Sequence, residues 1–85
     1  MAKKKDITVI ERKLGKHKAV GMAHQTDNLI EIDPRQTDYN YMLTMVHEMF
    51  HIQFPNFTEK QVVRYSRQMT KFLWENHFRR VYNIK

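Results

Sequence analysis

Residues 47–51 read His-Glu-Met-Phe-His and carry side chains that bind metal ions and move protons. On an α-helix, His47 and His51 lie one turn apart on the same face, so both imidazoles can bind one ion. Zinc suits imidazole nitrogen, and catalytic zinc sites use three protein ligands and leave a fourth position for water. Glu48 can reach that metal-bound water and accept its proton during attack on a carbonyl. The motif therefore predicts a Zn²⁺ site with His47 and His51 as ligands and Glu48 as general base.

The third ligand is expected downstream, beyond the proline that ends the first helix. His51 precedes Pro55 by four residues and Glu59 follows it by four, so an antiparallel helix hairpin brings Glu59 level with His51. His77 lies about 27 Å further along the second helix and is out of reach, as is Glu75. Glu59 is therefore the predicted third ligand. Its alternative role is to stabilise the positive N-terminal end of the helix dipole.

The segment before the motif predicts a small sheet. β-Branched residues and alternating apolar positions indicate strands at residues 7–14, 19–24 and 29–33, and turn-favouring residues separate them. Pro34 cannot donate to a ladder, so the third strand ends there. Two consecutive turns predict a three-stranded antiparallel meander.

Two helices follow the predicted strands. Residues 39–54 contain neither Gly nor Pro and are apolar around most of the circumference, which is typical of a central helix with neighbours on two sides. Asp38 is its predicted N-cap, and Pro55 ends it. Thr58 is the predicted N-cap of a second helix that runs to about residue 78. The side chains expected to face inward are Val62, Met69, Phe72 and Leu73. Strands followed by helices predict an α+β fold: the small antiparallel sheet packs on the central active-site helix, and the second helix returns antiparallel.

Length and composition limit the possibilities. The 85 residues allow one core, so residues 7–85 are predicted to form a single domain and residues 1–6 a flexible basic tail. The absence of cysteine excludes disulfides and thiolate metal sites. No apolar run is long enough for a membrane span, so we expect a cytoplasmic protein. The net charge of +6 favours a weak association with nucleic acid, and the oligomeric state stays open.

Several segments are similar to a known family. The segments are Ile-Glu-Ile-Asp-Pro-Arg at residues 30–35, the motif at 47–51, Phe-Pro-Asn-Phe-Thr-Glu at 54–59, Phe-Leu-Trp at 72–74 and Phe-Arg-Arg at 78–80. In these segments the chain resembles the minimal zincin-like, or SprT-like, metallopeptidases carried by bacteriophages and bacteria.

The resemblance implies a mini-zincin fold and a zinc-dependent peptidase. It also implies that the strand at residues 29–33 lines the cleft and pairs with an extended peptide substrate, and that a phage-encoded copy works in the host cytoplasm. The leading hypothesis is thus peptide-bond hydrolysis by a metal-bound water with Glu48 as base. Two alternatives stay open: a small basic, zinc-stabilised module that binds DNA or DNA-bound proteins without catalysis, and an inactive relative with a structural ion. A simpler possibility for the motif is a solvent-facing polar stripe on an amphipathic helix.

Overall fold

The computed structural model describes residues 6–15 and 19–81, which form three strands followed by two helices. The strands are β1 (Thr8–Glu11), β2 (Gly21–His24) and β3 (Leu29–Ile32). The helices are α1 (Asp38–Gln53) and α2 (Glu59–Glu75). Within the described part of the chain, neither helix is both long enough and apolar enough to cross a bilayer. Residues 1–5, which make up most of the expected basic tail, lie outside the described residues. So do residues 16–18, which make up most of the first predicted turn.

The sheet is mixed, so the predicted antiparallel meander is wrong. The strand order is β1-β3-β2, with β1 parallel to β3 and β2 antiparallel to it. The α+β class, with the sheet preceding two packed helices, is confirmed.

The connection between β1 and β2 explains the strand order. Since β1 and β3 run in the same direction, the chain leaving β1 emerges beside the end of β3. There it crosses that end: the backbone N–H of Leu14 donates to Asp33 Oδ2 at 2.9 Å, and the Leu14 side chain is buried. Arg35 holds the same carboxylate through its backbone N–H and its guanidinium. The chain then returns on the far side of β3 as β2.

Helix α1 occupies the centre of the fold, as predicted. It packs against β2 and β3 on one side and against α2 on the other. Its N-cap is Thr37, whose hydroxyl accepts from the backbone N–H of Asn40, and not the predicted Asp38, which lies in the first turn. Asp38 there still complements the helix dipole.

Helix α2 begins at a capping box. The Thr58 hydroxyl accepts from the Gln61 backbone N–H, and the Gln61 side chain accepts from the Thr58 backbone N–H. The helix ends at Glu75, three residues before the predicted end, because Asn76 caps it and His77 adopts a left-handed backbone conformation with φ of 70°.

The face that α2 buries differs from the predicted one. Val62, Ser66 and Thr70 are fully buried, whereas Met69 is 40% exposed and Phe72 64% exposed. The inward prediction is therefore confirmed for Val62 and wrong for Met69 and Phe72. Two small polar side chains in the interface allow α1 and α2 to approach closely.

Candidate metal centre

Three side chains meet where the end of α1 faces the start of α2. Glu59 Oε1 lies 2.9 Å from His47 Nε2 and 3.2 Å from His51 Nε2. The two Nε2 atoms are 3.2 Å apart. The helix hairpin thus brings the three predicted ligands together, and they form a group able to hold a metal ion.

The spacing of these atoms fits one zinc ion. Ligand atoms bound about 2.0–2.2 Å from a tetrahedral zinc lie roughly 3.3–3.6 Å from each other. The observed separations of 2.9 to 3.2 Å are slightly shorter, so a small outward movement of the side chains accommodates the ion. The Glu59 side chain is 62% exposed and has room for that movement. Two imidazoles and one carboxylate are also a donor set that zinc favours.

The hairpin connection fixes the two halves of the cluster. The rings of Phe54 and Phe57 stack with centroids 4.7 Å apart, and Phe57 also contacts Tyr65 on α2. The capping box then sets the first turn of α2, which contains Glu59. At the end of α1, the Gln25 side chain donates to the backbone carbonyl of His51 and ties the helix to the β2–β3 turn. Contacts from both helices and from the β2–β3 turn therefore position the backbone that carries the three clustered side chains.

Glu48 stands apart from the three clustered side chains, beside a cleft. The cleft measures about 220 Å³, and its lining residues are Val20, Gly21, Leu43, Thr44, His47 and Glu48. Burial raises the pKa of the Glu48 carboxyl, an effect that the neighbouring imidazoles of His47 and His51 oppose and Glu59 reinforces. Glu48 is thus a partly desolvated carboxylate in the cleft that His47 also lines.

Gly21 is the site residue that the sequence did not reveal. A Cβ at this position would lie 2.5 Å from Thr44 Cγ2 and 3.0 Å from Glu48 Cγ. Its φ is negative, so the reason for glycine is space and not backbone conformation. The absent side chain lets β2 approach α1 closely and sets one wall around Glu48. The signal was a glycine within a predicted strand, which often marks a close backbone approach.

The strand next to the cleft is β2 and not the expected strand at residues 29–33. Both sides of β3 are paired within the described sheet, so β3 has no free edge for a peptide. The outer side of β2 is the sheet edge, and Gly21 of β2 lines the cleft. Asp33 donates its N–H to the Val20 carbonyl, and pairing alternates along an antiparallel ladder. Gly21 and Ala23 therefore direct their N–H and C=O groups toward the open edge.

Two carboxylates of the sheet region are engaged by groups other than the metal-ligand imidazoles. The Asp33 carboxylate binds Arg35 and the Leu14 N–H, which hold its pKa well below the ordinary value. On the outer face of the sheet, His24 Nε2 lies 2.7 Å from Glu31 Oε1. The hydrogen bond with His24 and the nearby Arg12 guanidinium lower the pKa of Glu31, and burial opposes them.

Comparisons of the chain with protein-family models, with curated proteins and with solved structures found no match.

Proposed function

We propose that the protein is a zinc-dependent peptidase whose metal ligands are His47, His51 and Glu59 and whose general base is Glu48. The observation that carries the proposal is the convergence of His47 Nε2, His51 Nε2 and Glu59 Oε1 beside a cleft that Glu48 borders. A solvent-facing polar stripe would leave these side chains apart. A helix-capping role alone would not direct the Glu59 carboxylate onto both imidazoles.

The chemistry divides between the ion and Glu48. A zinc ion held by the three ligands would polarise a peptide carbonyl and make a coordinated water more acidic. Glu48 accepts the proton of the attacking water and transfers it to the leaving amine nitrogen as the C–N bond breaks. The half-buried position of Glu48 limits the access of solvent to its carboxylate, and Glu48 and His47 line the same cleft.

The open edge of β2 supports an extended peptide as the substrate. A peptide lying antiparallel to β2 would pair with the outward N–H and C=O groups of Gly21 and Ala23. Gly21 adjoins Glu48, so this pairing would bring a peptide bond to the base. Val20 and Leu43 provide an apolar wall of the cleft for a neighbouring side chain.

Zinc analysis tests the first half of the proposal. We expect the purified protein, equilibrated with Zn²⁺ and desalted, to retain one equivalent by mass spectrometry of the metal. His47→Ala, His51→Ala and Glu59→Gln should each lower this stoichiometry. His77→Asn is the matched control, because it removes an exposed histidine outside the cluster and asparagine tolerates the left-handed backbone there. Equal zinc contents in all five proteins would refute the site.

Hydrolysis by the zinc-loaded protein tests the second half. Glu48→Gln should keep the zinc and lower cleavage of a fluorogenic peptide library by about 100-fold or more, the usual contribution of a general base. Glu75→Gln, a change of an exposed glutamate on α2, is the matched control and should have no effect. Zinc retention without any cleavage would assign the ion a structural role. Equal cleavage by the Glu48→Gln variant would remove Glu48 from the mechanism.

A further inference from the structure

Helix α2 carries four cations along one side. Their spacing of four, three and four residues places them on the same face of a helix, and all are exposed. We call this set the basic stripe: Lys60, Arg64, Arg67 and Lys71. Within the described residues, α2 packs on α1 and on no strand, so the side that carries the basic stripe is open to solvent.

Within the described residues, the charges of the basic stripe are not neutralised by ion pairs. Three other arginines are paired with carboxylates, Arg12 with Glu31, Arg35 with Asp33, and Arg80 with Glu11. Arg79 instead donates to backbone carbonyls and lies over the Trp74 ring. Among residues 6–15 and 19–81, no carboxylate forms an ion pair with any member of the basic stripe. Like charges three and four residues apart destabilise a helix. A helix that retains such repulsion is suited to a polyanionic partner.

The geometry of the basic stripe points to duplex DNA. We propose that this face of α2 binds the phosphodiester backbone of double-stranded DNA without sequence specificity. The stripe runs from Lys60 to Lys71, a rise of about 16 Å along the helix axis, which corresponds to roughly five phosphates of one strand. A helix of about 10–12 Å diameter can lie along such a row of phosphates at the edge of the wide major groove of DNA, whereas the major groove of duplex RNA is deep and narrow.

The apolar side chains that α2 exposes argue against two other anionic partners. Tyr65, Met69 and Phe72 lie about 140° around the helix from the basic stripe. A membrane that contacted the stripe could not receive them at the same time, as an interfacial helix requires. Single-stranded nucleic acid stacks successive bases on several aromatic rings beside the basic groove. The Tyr65 ring lies beside Arg64, at 5.8 Å from its guanidinium, but Met69 and Phe72 provide no second ring on that side of the helix. A duplex, which presents phosphates and no free base faces, needs only the cations.

Fluorescence anisotropy with a labelled duplex of random sequence, over a series of KCl concentrations, tests the proposal. Four phosphate contacts predict that log K falls with log[salt] with a slope of about −3.6. The variant Arg64→Gln/Arg67→Gln/Lys71→Gln should lower the magnitude of this slope by about 2.7 and weaken binding at least tenfold at low salt. Lys60 is left in place because it adjoins Glu59. Glutamine keeps the helix propensity nearly unchanged, and circular dichroism confirms folding.

The matched control is Lys3→Gln/Lys4→Gln/Lys5→Gln, which removes the same charge elsewhere in the sequence. It should change the slope by less than about one. His47→Ala should leave DNA binding intact, so this result is independent of the metal site. Equal losses in the two triple variants, or a loss in the lysine control alone, would overturn the proposal. So would equal or tighter binding to single-stranded DNA, to duplex RNA or to phosphatidylserine vesicles.

Discussion

Gly21→Ala tests the contact between the sheet and the helix that holds Glu48. The added Cβ would lie 2.5 Å from Thr44 Cγ2, 3.0 Å from Glu48 Cγ and 3.2 Å from Glu48 Oε2. Carbon atoms in contact normally lie about 3.5–4.0 Å apart, so β2 and α1 must separate by roughly 1 Å. Thr44 is buried and its hydroxyl donates to Gln36, so it cannot simply rotate away.

The expected magnitudes follow from that overlap. Overpacking of one methyl group costs about 1–3 kcal/mol of folding free energy. In a domain of this size, each kcal/mol lowers Tm by about 4–8 °C. A displacement of about 1 Å at Glu48 should lower kcat/KM by roughly 100-fold if the site is catalytic. Zinc binding should persist, because the three atoms nearest to the new Cβ belong to Thr44 and Glu48 and not to a metal ligand.

The assay is thermal unfolding followed by circular dichroism, with zinc content and peptide cleavage on the same samples. Gly15→Ala is the matched control: within the described residues its new Cβ would meet Arg35 Nη2 at 3.3 Å, a much milder approach than 2.5 Å, so Tm should change far less than in Gly21→Ala. Thr44→Ser removes the Cγ2 methyl group that the new Cβ of residue 21 would overlap, and it keeps the hydroxyl. The double variant Gly21→Ala/Thr44→Ser should therefore recover at least about 1 kcal/mol relative to the sum of the single changes.

A stabilised Gly21→Ala protein would refute the reasoning. Alanine reduces the entropy of the unfolded chain and normally stabilises a position with negative φ by about 0.4–1 kcal/mol. The predicted sign is the opposite, and only the close approach of β2 to α1 supplies a reason for it.

Three further changes test other parts of the structure. Ala23→Pro removes an outward N–H at the β2 edge and should raise KM about 5- to 10-fold with kcat retained, and an unchanged KM would argue against peptide pairing there. The Thr70 hydroxyl is buried without a hydrogen-bond partner in the described part of the chain. Thr70→Val should therefore stabilise the protein by about 1 kcal/mol in urea unfolding, and a loss of stability would show that the hydroxyl is bonded. The depressed pKa of Asp33 stabilises the fold above the ordinary aspartate pKa, and that contribution disappears as the pH falls through the folded-state value. Asp33→Asn should thus lower Tm at pH 7. As the pH falls, the Tm of the variant should decrease by less than the Tm of the parent protein, and equal decreases would contradict this linkage between the Asp33 pKa and stability.

The helical half of the fold could be predicted because its signals are local. The spacing of His47 and His51 places both on one face, and Pro55 fixes where the first helix ends. The equal distances of His51 and Glu59 from that proline then bring the two side chains level. The structure brings them together at 3.2 Å.

The sheet could not be predicted in the same way, because strand order depends on a non-local contact. Turn-favouring residues after β1 are equally compatible with a hairpin and with a crossing of β3. The interaction that accompanies the crossing, from the Leu14 N–H to Asp33, joins residues nineteen positions apart. The face of α2 was ambiguous for another reason. Its apolar residues occupy two flanks, and the buried centre contains Ser66 and Thr70, which hydrophobicity does not identify.

The crossing also determines which strand edge lies next to the candidate site. In the predicted meander, β2 would lie in the middle of the sheet, and both of its sides would be paired. Gly21 could still lie beside Glu48, but no backbone group next to Glu48 would be free to receive the proposed peptide. Because the chain crosses the end of β3 at Leu14, β2 becomes an edge strand against α1. Asp33 holds the N–H of Leu14 and so stabilises an arrangement in which the open edge and Glu48 lie side by side.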